Sequence, residues 1–149
     1  MKIKLSLTNK NEDVSGLEVA LINETTKFKG IQLGIINEPE CVIGFQAGVI
    51  NIVNAFLYGI QLGLINHVKE EFRGIQIGVN GTEDIKGVQA GIMNVARNSM
   101  YGVQASLFYN YCGEDSKGIQ FGLINWRSGG DWYTRFFPII AIRTGKRKT

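Results

Sequence analysis

An all-β solenoid, a chain wound into stacked coils of short parallel strands, is the fold class this sequence predicts, and three observations carry it. A pattern of Gly, apolar, Gln, apolar, small, apolar, apolar, Asn recurs eight times. Its leading glycines, Gly16, Gly30, Gly44, Gly59, Gly74, Gly87, Gly102 and Gly118, lie 13 to 16 residues apart. Within each copy, large apolar residues alternate with small or polar ones, the period of two that marks an extended strand. Self-similarity at a fixed period is the signature of a repeat architecture. Identical columns are best satisfied when like stacks on like, and the rest of each coil supplies the return path that parallel strands need.

The composition agrees. The chain has 149 residues, 44% hydrophobic and 19% charged, which suits one ordinary domain and excludes a disordered polar tract. Its 19 glycines are nearly twice the usual share, whereas its 2 prolines rule out a collagen-like chain. No apolar stretch reaches the length of a membrane-spanning helix.

Residues 1–149 read as a single repeat domain in three parts. Residues 1–15 hold a degenerate first coil, Lys2-Ile3-Lys4-Leu5-Ser6-Leu7-Thr8-Asn9. Residues 16–125 hold the eight repeats, and residues 126–149 a C-terminal cap and basic tail. About nine coils of 14–15 residues result, of either hand, giving a rod about 43 Å long at roughly 4.8 Å per coil.

Three apolar columns fall on one face of the repeat and read as its core. They begin with Leu17, Ile31, Phe45 and Ile60, with Val19, Leu33, Ala47 and Leu62, and with Leu21, Ile35, Val49 and Leu64. The opposite face reads Gly-Gln-Gly and is expected to lie outside, flat and nearly uncharged. Its glutamines, Gln32, Gln46, Gln61, Gln76, Gln89, Gln104 and Gln120, are the candidate binding face. Stacked amides can hydrogen-bond along such a column. Glu18 continues the column at its N-terminal end, with Lys4 as an opposite-charge neighbour.

The asparagines that end each copy (Asn9, Asn23, Asn37, Asn51, Asn66, Asn94 and Asn125) suit a recurring turn, because asparagine tolerates left-handed backbone. Asn80 arrives one residue early and Asn110 one late, so these two turns should be irregular. The charged spacers carry one apolar anchor two residues before each glycine: Val14, Phe28, Val42, Leu57, Phe72, Ile85 and Met100. These anchors are expected to point inward. Terminal coils expose unpaired strand edges. Lys2 and Lys4 charge the first coil, and Trp126, Trp132, Tyr133, Phe136, Phe137 and Pro138 are expected to cover the last.

The alternative is a small antiparallel β-barrel of the outer-membrane type, with Ile and Leu facing lipid and Gly and Gln facing inward. Such barrels alternate short turns with long loops, whereas these spacers are all alike and clear aromatic girdles are lacking.

No nucleophile, base and acid assemble from the pattern, so no catalytic residue, metal ligand or cofactor is expected and the chain reads as a non-enzyme. The single histidine, His67, sits in a spacer and reads as a solvated turn residue. The Gly-x-Gln-x-Gly units lack the Gly-Lys-Ser/Thr of a phosphate loop. Cys41 and Cys112 make no disulfide framework. Five coils apart, they would lie roughly 24 Å from each other at strand spacing, beyond the roughly 7 Å that a disulfide spans. The net charge of +3 comes from Arg143, Lys146, Arg147 and Lys148, which read as a solvated basic end. Nucleic acid is therefore an unfavoured partner. The N-terminus lacks the apolar run of a signal peptide, which on its own points to the cytoplasm.

The Gly-apolar-Gln-apolar-Gly-apolar-apolar-Asn copies over residues 16–125 resemble a family of bacterial surface-repeat proteins built from the same short unit. The closing Arg135-Phe136-Phe137-Pro138-Ile139-Ile140 is similar to that family's aromatic-proline ending. The resemblance implies a cell-surface location and brings no activity or catalytic residue with it.

The functional expectation is a non-catalytic structural or binding repeat protein. Its Gly-Gln-Gly face would pack on a second copy, making a homo-oligomer, or on a protein or polysaccharide ligand. A membrane is the partner only for the barrel.

Overall fold

In the computed structural model, which describes residues 2–129 and 135–145 and the side chains of these except 2–6 and 11, the chain is a β-solenoid of about eight turns. It is extended almost throughout. β1 (Lys2–Val53) and β2 (Phe56–Cys112) each wind through several coils and are followed by β3 (Lys117–Arg127) and β4 (Phe136–Thr144). Breaks occur only at residues 54–55 and 113–116 before β3 begins. Neighbouring coils pair in parallel and in repeat register: Gly44 on Gly59, Gln46 on Gln61, Asn51 on Asn66. The same holds between β2 and β3, with Gly102 on Gly118 and Asn110 on Asn125. The antiparallel barrel is thereby overturned, because sequential copies run in one direction.

The leading glycines stack directly on one another from coil to coil. Gly59 has φ +146°, and a Cβ there would overlap the carbonyl oxygen of Gly44 one coil away. Only glycine adopts that backbone freely and allows that approach. The asparagines do not make the turns: among the described non-glycine residues only Ile139 has a positive φ. Within the repeats the positive φ falls to glycine, and asparagine stays in the strand.

The inside and outside are the reverse of the expected assignment. Every glutamine of the column is wholly buried, and so are most of the asparagines. The aliphatic columns lie outside: Leu64 is 70% and Leu107 67% exposed, and Ile31, Ile35 and Leu123 are also exposed. The anchors Val14, Phe28, Val42, Leu57, Phe72, Ile85 and Met100 do point inward. Val53, Val68, Ala96 and Cys112, two residues after an asparagine, join them in the apolar core. Each coil therefore encloses an amide half and an apolar half.

Room is one physical reason for the reversal. A tight coil has little space on its inner side, and the second glycine of the repeat leaves that space to asparagine. A Cβ at Gly34 would stand 2.6 Å from Asn37 Oδ1 and 2.7 Å from Asn23 Nδ2.

The C-terminal end is closed by β4, which runs antiparallel to β3 with Lys117 opposite Thr144 and Phe121 opposite Ile140. Backbone pairing covers the last edge, and of the aromatic residues expected to do so Trp126, Phe136 and Phe137 remain substantially exposed. Trp132, Tyr133 and Lys146–Lys148 lie outside the described residues, as do the side chains of Lys2 and Lys4.

Candidate functional site: two amide chains within an aliphatic exterior

Burying an unpaired amide costs about 1–3 kcal/mol, so fifteen or so buried amides are tolerable only if they satisfy one another. They do. Along the glutamine column each Nε2 donates to the Oε1 of the preceding coil: Gln46 to Gln32, Gln61 to Gln46, Gln76 to Gln61, Gln89 to Gln76, Gln104 to Gln89 and Gln120 to Gln104, all at 2.7–2.8 Å. All six bonds point toward the N-terminus.

Both ends of this chain carry the charge its polarity requires. At the N-terminal end Gln32 Nε2 donates to the Glu18 carboxylate at 2.8 Å, and the Thr25 hydroxyl donates to the same Oε2 at 3.0 Å. An ionised carboxylate only accepts. At the other end the last carbonyl, Gln120 Oε1, receives Arg143 Nε at 2.8 Å, and a second Arg143 nitrogen donates to the Asn125 carbonyl at 3.3 Å. A guanidinium only donates. An anion therefore sits where the amide N–H groups point and a cation where the carbonyls point, the same complementarity that charges give a helix dipole. Arg143 is thus buried in the end of the rod and is not part of a solvated tail. Burial pulls its pKa down, with the Cys112 sulfur acting in the other direction.

The asparagine column runs the opposite way. Asn9 donates to Asn23, and the series continues through Asn37, Asn51, Asn66, Asn80, Asn94 and Asn110 to Asn125 at 2.7–3.0 Å. From Asn23 to Asn110 the same Nδ2 also donates to a backbone carbonyl of the next coil, as Asn37 does to Ala47 at 2.9 Å. Asn80 and Asn110 keep their places in this chain although their copies are one residue short and one long. The length difference at Asn110 is absorbed by a register shift between Ala105 and Tyr109.

The seven glutamines are therefore brought together, but inside. Gln32, Gln46, Gln61, Gln76, Gln89, Gln104 and Gln120 have no exposed surface, so they cannot form a binding face. What the repeat presents outward along that side is aliphatic. The residues at the second, fourth and sixth places of each copy form it, and none carries a charge: Ile31, Leu33 and Ile35 in one coil, Ile119, Phe121 and Leu123 in another.

The charged side chains line the spacers instead, and several pair between adjacent coils. Lys10 meets Glu24 at 3.1 Å, Arg97 meets Glu83 at 3.1 Å, and Glu71 holds both Arg73 at 2.7 Å and Lys86 at 3.0 Å. Hydrogen bonds from Arg73 and Lys86 lower the Glu71 pKa. Arg73 also lies over the Tyr58 ring, 5.1 Å from its centre.

His67 belongs to β2 and is half-buried, not a turn residue. Desolvation lowers its pKa first, and the Arg97 and Lys69 charges lower it further. Cys41 and Cys112 are both free thiols, and burial raises the pKa of each. Among the described residues no three His, Cys, Asp or Glu side chains gather as a metal site. Among the described residues no helix is long and apolar enough to cross a membrane.

Parallel coils, paired amide chains and an aliphatic exterior define a β-solenoid repeat protein with a half-polar core. Comparison with protein-family models, with curated proteins and with solved structures finds no match.

Proposed function

We propose that this is a non-catalytic structural and binding repeat protein whose docking surface is the aliphatic outer face. The observation that supports the reading is the composition of that face: from Leu17 to Leu123 its three columns are apolar and uncharged, and much of their surface is exposed. Monomeric proteins rarely expose contiguous apolar patches beyond about 300–600 Å², and larger ones mark interaction sites. Eight coils at roughly 4.8 Å and five residues at roughly 3.3 Å give about 38 Å by about 16 Å, or about 600 Å², at the top of that range.

The likeness of the repeat to bacterial surface-repeat proteins supports a cell-surface setting.

Leu64→Lys combined with Leu107→Lys tests the docking reading, because both residues are highly exposed and the fold should survive. Binding of the apolar dye Nile red at nanomolar protein should fall at least several-fold in the double variant, with an unchanged circular-dichroism spectrum. Equal dye binding by both proteins would remove the aliphatic face as the docking surface.

A further inference from the structure

We infer that the occupant of the aliphatic face is a second copy of this chain, packed face to face. The inference rests on the docking reading above and adds the partner. Area is the first argument. About 600 Å² per copy removes about 1,200 Å² in all, the lower bound of a stable specific interface. The face is self-complementary in the sense a two-fold interface requires, since every coil offers the same three apolar columns. A flat strand face packs readily on its like, at the separation of about 10 Å usual for stacked sheets. The apolar surface also continues onto the cap, where Ile139, 70% exposed, and Ile140 border a groove of about 510 Å³ with Leu107, Phe121 and Leu123.

Light scattering should give a dimer for the parent protein and a monomer for Leu64→Lys with Leu107→Lys. A parent protein that is monomeric at 100 µM overturns the second copy as occupant. If that monomer still binds Nile red through Leu64 and Leu107, the docking reading stands without it; if it does not, both fall.

Discussion

Gln76→Lys should unfold or severely destabilise the rod, whereas Ile75→Asp next to it should be tolerated. Gln76 is wholly buried, donates to Gln61 Oε1 at 2.7 Å and accepts from Gln89 Nε2 at 2.8 Å. Lysine only donates. Its ammonium could keep the bond to Gln61, but the Gln89 amide would lose its acceptor and face a cation. The orphaned donor costs about 1–3 kcal/mol, and an ion buried without a counter-charge several more. A total of about 5 kcal/mol or more matches the lower range of a domain's whole stability, about 5–15 kcal/mol.

Ile75 is 41% exposed, and its carboxylate replacement would stay in water. The expected cost is about 1 kcal/mol or less. Urea unfolding followed by circular dichroism, at a concentration low enough to keep the copies apart, measures both. A Gln76→Lys midpoint near that of the parent, together with loss of structure in Ile75→Asp, would refute the placement of amides inside and aliphatics outside.

Other outcomes follow from the same geometry. Arg143→Met orphans the Gln120 and Asn125 carbonyls and should cost about 2 kcal/mol, with hydrogen exchange accelerating first in β3 and β4; unchanged exchange there would show that the cation does not hold the end of the amide chain. Gly59→Ala, at φ +146° and against the Gly44 carbonyl, should cost at least about 3 kcal/mol. Gly81→Ala, at a position without positive φ and 3.1 Å from His67 Nδ1, should cost about 1 kcal/mol or less by thermal unfolding. The folded-state pKa of His67 lies below its ordinary value, so the unfolded chain binds its proton more readily. Its contribution to stability is complete above about pH 6.5 and is lost as pH falls through the lower, folded-state value. His67→Gln should flatten that part of a stability-against-pH curve, and an unaltered curve would assign the slope to other groups.

Much of the fold was legible because the repeat is read by spacing alone. The glycine period predicts the coils, like residues stack on like, and the spacer anchors from Val14 to Met100 point inward as expected. The orientation of the strand was misjudged because alternation separates two faces without saying which is inside. The general tendency to bury aliphatics decided wrongly. A cue was present in the phase: Phe28, Gly30 and Gln32 are two residues apart, so an inward anchor carries the glutamine inward with it, while Ile31 falls on the other side. The role of Arg143 was not legible. A basic run, Lys146 to Lys148, follows three residues later, and only the antiparallel return of β4 brings Arg143 to Gln120. The asparagines misled through a genuine turn preference that here yields to a chain of buried amide bonds.

Side-chain hydrogen exchange tests the central claim most directly. Side-chain amide signals from Gln32, Gln46, Gln61, Gln76, Gln89, Gln104 and Gln120, followed by nuclear magnetic resonance after transfer to heavy water, should persist as long as those of the core backbone. Contacts between successive glutamines should be visible in the same spectra. Glutamine signals that vanish within the first minutes, while the backbone of β2 stays protected, would place these amides in solvent and contradict the account.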